Sequence, residues 1–277
     1  GLVGSEMCIR DSMTSECLQL QAMNPNLCIK NDASYHDMYY MNPPAKDLSK
    51  IASSDKVKKV QKDFEATHVR PQRLMKTLFT DEAYVKANVD EARLMRRLFD
   101  LACNMQSHDT DMQLYSLFTD EECYDLWSCN NLYWYLTHAC SPVTDGLMPY
   151  READLLRNIL DRADAALKEG KNQATLRFGH ESCLLPLVAL LELNHYGESY
   201  PDVEKLSEQW RAYDIFPMAS NVQFVFFHKK GSNDVLVKVL LNEKETKLPV
   251  KTDVAPYYHW KDVESYYREK LDKYQHI

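Results

Sequence analysis

Apolar residues recur at intervals of three and four over most of this chain. The clearest case spans residues 151–168, where Leu155, Leu156, Ile159, Leu160, Ala163 and Leu167 form one face and Gly170 supplies a C-terminal stop. A second helix is predicted to start at Thr119, with Glu122 three residues on completing a capping box, and to run to about His138 behind a face that includes Leu126, Leu132, Trp134 and Tyr135. Shorter helical patterns cover Glu16 to Met23 and about Cys183 to His195. An amphipathic helix over Trp260 to Tyr274 turns Val263, Tyr266, Tyr267 and Leu271 inward. From about Ser53 to His108 the pattern is helical with charged faces and offers no convincing strand.

Strand-like runs are few. Val222 to Phe227 and Val235 to Leu241 are rich in β-branched and aromatic residues, and Lys230-Gly231-Ser232-Asn233-Asp234 joins them, so an antiparallel hairpin is predicted. Leu27-Cys28-Ile29 reads as a sheet edge. Thr175 to Gly179 reads as a short strand ending in His180 just as a helix begins at Glu181. In open α/β sheets the ligand crevice lies beyond the carboxyl ends of the strands, where the next helix offers its partly positive N-terminus to an anion. His180 and Glu181 are therefore the candidate site residues, and a phosphate suits that corner.

Composition narrows the classes. With 45% hydrophobic and 27% charged residues, the 277-residue chain is ordinary globular material rather than disordered. A formal charge of −8 argues against nonspecific nucleic-acid binding. Eight cysteines without a C-x-x-C spacing lack the signature of a zinc or thioredoxin-like site and leave any pairing open. The longest apolar stretch, Cys183 to Leu193, is interrupted by Pro186 and Glu192 and is too short for a membrane span.

Four segments in order, Phe178-Gly179-His180, Leu184-Leu185-Pro186-Leu187, Phe216-Pro217-Met218-Ala219-Ser220-Asn221 and Leu240-Leu241-Asn242-Glu243, resemble the C-terminal half of multiple inositol polyphosphate phosphatases. These belong to the second branch of the histidine phosphatases, with the acid phosphatases and phytases. Asp32-Ala33-Ser34-Tyr35-His36-Asp37 and Tyr257-Tyr258-His259-Trp260 look like bacterial members of that group. The resemblance implies an α/β fold: a partial sheet core with flanking helices and an α-helical cap insert, divided as core remainder (13–43), mainly helical cap (44–118) and core with the acid/base half of the site (119–277). It also implies a two-step phosphomonoester hydrolysis through a phosphohistidine, acting on phytate or other inositol phosphates as the small-molecule partner. No cofactor or metal is implied, and export to a periplasm or beyond is.

In that reading Glu181 gives a proton to the leaving alkoxide and then activates water, while a protonated His180 hydrogen-bonds a nonbridging oxygen. The family's nucleophile comes from an Arg-His-Gly segment, which does not occur here. The chain also departs from the group's usual motifs. Inositol polyphosphate phosphatases carry His-Ala-Glu, whereas His180-Glu181-Ser182 puts a carboxylate in the position of the acid phosphatases' His-Asp, one methylene longer, with Ser182 where the glutamate would stand. The alternative class is a noncatalytic member that binds a phosphorylated ligand or a protein.

Blander readings are preferred elsewhere. His36, His68, His108 and His138 read as structural, the aromatics Tyr124, Trp127, Tyr133, Trp134 and Tyr135 as core, and Lys56-Val57-Lys58-Lys59 as a solvated helix face. Ser220 and Asn221 read as turn formers and Cys183 as a packed thiol. Glu6 to Ser12 resembles a translated sequencing adapter, which makes residues 1–12 extraneous and the chain a C-terminal fragment. On that expectation the polypeptide alone is poorly soluble and turns over no phosphomonoester. A p-nitrophenyl phosphate assay and a sedimentation test check this, and turnover by the isolated chain contradicts it.

Overall fold

The computed structural model describes residues 2–33, 38–41 and 45–274. Twelve helices are described: α1 (Leu2–Met23), α2 (Lys46–Ala52), α3 (Asp55–His68), α4 (Gln72–Leu78), α5 (Glu82–Asn88), α6 (Glu91–Asn104), α7 (Asp120–His138), α8 (Ala153–Glu169), α9 (Glu181–Leu190), α10 (Leu206–Gln209), α11 (Ala212–Ile215) and α12 (Trp260–Tyr274). Four strands join them: β1 (Val222–His228), β2 (Val235–Leu241), β3 (Lys244–Glu245) and β4 (Tyr258–His259). The architecture is mixed α/β, with a small antiparallel sheet against a helical majority.

The hairpin forms as its composition demands. β1 and β2 pair antiparallel from Val222↔Leu241 to His228↔Val235, and β3 and β4 both add to the far edge of β2. Alternation along β2 turns Val237, Val239 and Leu241 into the core, where Trp260, Val263 and Tyr267 of α12 join the same cluster. Lys238 faces out and donates to Glu245 at 3.0 Å.

At the centre lies α9, in which Leu185, Val188, Ala189 and Leu190 are fully buried. A helix apolar on every side needs cover on every side, and α7, α8 and α12 contribute the residues of its cluster. The orphan carbonyls at its C-terminal end are met by side chains of α12: Lys270 Nζ donates to the Leu190 carbonyl at 2.6 Å, and the Tyr267 hydroxyl to that of Leu191 at 2.8 Å. The chain leaves through Glu192 and Asn194, both left-handed with φ near +53° and +55°, so the helix ends at Leu190 rather than near His195 as its apolar run suggests.

A second hydrophobic cluster collects Leu74, Met75, Val85, Met95, Ala102, Phe118 and Leu126 from α4, α5, α6, the segment after them and α7. The main cluster takes Leu132 and Leu136 of α7, and also Val57 and Phe64 of α3. The two cores thus meet along α7, whose capping box forms as expected: the Thr119 hydroxyl accepts from the Glu122 amide at 3.2 Å and the Glu122 carboxylate from the Thr119 amide at 3.0 Å.

Three expectations are corrected. Residues 27–29 form no strand; α1 and the turn after it expose Leu18, Met23 and Leu27, so residues 13–33 supply no sheet edge to the core. Residues 172–180 form no regular element among the described residues, because β1 and β2 satisfy one another and no strand lies beside this segment to complete a ladder. The α7 aromatics are only partly core: Tyr135 is fully buried, whereas Tyr124 and Tyr133 are 52% and 45% exposed. His36 lies outside the described residues.

Leu156→Ala empties a fully buried site on α8 and is expected to destabilise the protein by about 2–5 kcal/mol. Thr119→Ala removes the cap of α7 and costs about 1 kcal/mol. Urea unfolding of both variants checks the ranking, and a smaller loss for Leu156→Ala than for Thr119→Ala contradicts this account of the core.

Candidate active site

His180 and Glu181 stand together where an irregular segment gives way to α9. His180 is the N-cap residue, extended at φ −102° and ψ 164°, and half-buried. Its carbonyl accepts the amides of Cys183 at 3.0 Å and Leu184 at 3.1 Å, which opens the helix. Glu181 is the first helical residue and is exposed. The helix begins where the sequence places it, so the imidazole, the carboxylate and the first-turn amides share one end of a ten-residue helix whose other end is anchored in the core. Aligned peptide dipoles make that end an anion-favouring position.

The surroundings hold this corner from one side. A 3-10 turn at Tyr39–Met41 lies against it: Cys183 Sγ donates to the Met41 carbonyl at 3.3 Å, and a Cβ added to Gly179 would meet Met41 Cε at 3.3 Å. Arg177 reaches α8, its Nη2 donating to Asn158 Oδ1 at 2.6 Å, and its Cζ lies 5.8 Å from the centre of the Tyr40 ring. Burial pushes the Cys183 thiol up to about 11, with the nearby Glu152 carboxyl adding to the shift. That is a packed thiol, not an activated nucleophile.

The sequence reading did not single out Glu152. It ends a 3-10 turn at Met148–Glu152, is 3% exposed, and its Oε2 meets no hydrogen-bond partner among the described residues. Burial pushes its carboxyl up to about 8, only partly opposed by Arg151. The signal in the sequence was a glutamate at the onset of an amphipathic helix, which usually marks a solvated first turn. Nothing local distinguishes it from one.

The structural readings of the other candidates agree with their contacts. His68 stacks on Phe64 with ring centroids 3.8 Å apart. His138 is buried beside the Thr137 hydroxyl at 2.7 Å, and burial pushes it down to about 4. Lys56, Lys58 and Lys59 are exposed while Val57 enters the core. Asn221 ties the turn after β2, its amide donating to Asn242 Oδ1 at 3.0 Å and its Nδ2 to Glu243 Oε1 at 2.7 Å. No group of three or more His, Cys, Asp or Glu among the described residues is placed to hold a metal, and no helix is long and apolar enough to cross a membrane.

A cavity of about 540 Å³, lined by Cys140, Tyr150, Glu192 and Lys270 among others, lies at the opposite end of α9 and shares no residue with the His180 corner. Lys270 reaches Glu192 Oε2 at 3.2 Å there, so its polar groups already serve one another and the helix terminus. The candidate site is the other end.

The family model of the histidine phosphatase superfamily, branch 2, matches residues 18–242. Human multiple inositol polyphosphate phosphatase 1 is 28% identical over a 134-residue alignment that covers 44% of this chain and 27% of that protein. The multiple inositol polyphosphate phosphatase of Bifidobacterium longum, solved with phosphate, aligns with a TM-score of 0.57 at 19% identity over 87% of this chain and 60% of that one. The same enzyme with inositol hexasulfate gives 0.51 at 19% identity, over 83% and 56%. The chain thus spans just over half the length of the solved relatives and about a quarter of the human one.

Glu152 yields a pH prediction. A carboxyl whose folded pKa is raised stabilises the fold below its unfolded pKa, and that contribution drains away as pH rises through the folded value. The window is therefore about 4.5 to about 8. Glu152→Gln is expected to leave stability near pH 4 almost unchanged and to raise it near pH 8 by on the order of a few kcal/mol. Denaturation midpoints at the two pH values decide it, and equal shifts at both contradict a neutral buried acid.

Proposed function

The chain belongs to the histidine phosphatase superfamily, branch 2, and from that premise we propose that it is the acid/base half of a phosphomonoester hydrolase acting on inositol polyphosphates. The observation that carries the reading is the position of His180 and Glu181: a half-buried imidazole and an exposed carboxylate at the solvent end of a helix otherwise sealed in the core, inside the region that the family model matches.

The chemistry follows from that position. A nucleophilic histidine, supplied by an Arg-His-Gly segment that this chain does not contain, attacks phosphorus and the ester oxygen leaves as an alkoxide. Glu181 in its acid form transfers its proton to that oxygen. The resulting carboxylate takes a proton from water as the water attacks the phosphohistidine, releasing inorganic phosphate and restoring the acid. His180, protonated beside the dianion, donates to a nonbridging oxygen, and the first amides of α9 add a fixed field of the same sign. Because Glu181 is exposed, it exchanges its proton with solvent between turnovers. Inositol phosphates are the proposed substrates because the relatives found here are inositol polyphosphate phosphatases, one of them solved with inositol hexasulfate bound. Export from the cytoplasm is part of the same proposal.

A noncatalytic phosphate-binding member is the competing reading, and Ser182 in place of the more usual glutamate favours it. The two differ in turnover. In a protein that carries this chain together with an Arg-His-Gly segment, Glu181→Gln is expected to lower phytate hydrolysis by about 10²- to 10⁴-fold while phosphate still binds. Phosphate release by the wild type and the variant, followed with a molybdate assay, tests this. Full activity in Glu181→Gln removes that residue from its role, and an inactive wild type that binds phytate favours the binder.

A further inference from the structure

His180 is tied to α9 by its own carbonyl, but residues 172–179 before it have no regular structure, so no backbone ladder holds the chain that leads into it. A side chain of that segment reaches two neighbouring elements. Arg177, three residues before His180, donates from Nη2 to Asn158 Oδ1 in the middle of α8 at 2.6 Å and places its guanidinium 5.8 Å from the centre of the Tyr40 ring. Tyr40 belongs to the same 3-10 turn whose Met41 carbonyl accepts from Cys183 and whose Met41 side chain lies against Gly179. That turn therefore touches residues on both sides of His180.

The chemistry of this contact is costly. Its partners, the Asn158 amide and the Tyr40 side chain, which it also hydrogen-bonds, are ordinarily neutral, the nearby Arg162 is a second cation, and Nε is buried without an acceptor among the described residues. A half-buried cation served by such groups contributes little to stability, and a methionine of similar reach would avoid the desolvation. What a guanidinium adds is a rigid planar fork that hydrogen-bonds at a fixed angle while presenting a flat face to an aromatic ring.

We propose that Arg177 is a positioning residue for the phosphatase reaction, tying the irregular segment to α8 and to the Tyr39–Met41 turn so that His180 is held at the mouth of α9. It acts through His180 and does not touch substrate. The proposal rests on the assignment of His180 to the phosphatase site.

The test combines kinetics with a measurement that does not depend on turnover, both made in the protein that carries this chain with its Arg-His-Gly segment. Arg177→Met is expected to lower kcat for phytate at least tenfold with KM changed less than threefold, and to move the titration of the His180 imidazole followed by NMR. Arg177→Lys restores part of kcat, since it keeps a donor but not the fork. Asn158→Ala gives a similar loss, and the double variant is no worse than the more impaired single one, because both cut one link. Unchanged kcat together with an unmoved His180 titration in Arg177→Met overturns the proposal, as do additive effects in the double variant. Should Arg177→Met fail to fold, the Arg177→Lys and Asn158→Ala variants decide on the same two readouts. If the wild type turns over no phytate, the assignment of function fails, and the His180 titration still decides whether Arg177 positions it.

Discussion

The burial of α9 is the constraint from which the site follows. A ten-residue helix with apolar side chains all round must be enclosed, so the elements around it are packed to fit it and its axis is fixed by the core. Its C-terminal carbonyls are closed by Lys270 and Tyr267 from α12, which leaves its N-terminus as the end where polar chemistry can reach water. His180 and Glu181 sit at that end. The backbone at that end is thus placed by the least polar part of the molecule, which suits the acid/base role proposed for Glu181.

What was legible in the sequence was what local pattern determines. The hairpin, the capping box at Thr119, the stop at Gly170 and the start of α9 at Glu181 each rest on residues within a few positions of one another. What was not legible depends on distant partners. Thr175 to Gly179 and Leu27 to Ile29 have strand-like composition, but a strand exists only beside another, and among the described residues neither has a neighbour. The apolar run through Leu193 suggested a longer helix because periodicity does not report that Lys270 and Tyr267, some 80 residues on, close it at Leu190 and Leu191.

The same division holds at the site. His180 and Glu181 could be read because the residue types, their adjacency and the helix start occur together in one short segment. Glu152 and Arg177 could not. A glutamate at a helix onset and an arginine in a short apolar run are common on surfaces, and only tertiary packing makes one a buried acid and the other a half-buried link between α8 and the Tyr39–Met41 turn. The aromatic residues of α7 show the converse error: helical spacing suggested core, but α7 presents only part of its circumference to the two clusters it joins, which leaves Tyr124 and Tyr133 outside.

Two carboxyls near the start of α9, Glu152 and Glu181, compete for the role of proton donor. A donor that also serves as the base in the second step must release and regain its proton on every turnover, which requires a path to water or to substrate. Glu152 has neither: it is 3% exposed and its free oxygen faces no partner among the described residues, so the burial that pushes its carboxyl up to about 8 also keeps it from passing a proton to substrate or water. Glu181 is exposed, adjoins the imidazole in sequence and stands in the first turn of α9, where a phosphate dianion brought to the helix end would meet it. Burial that raises a carboxyl toward neutrality is often a mark of catalysis, but a donor cut off from water and substrate cannot cycle its proton, so the proposed role goes to the accessible Glu181.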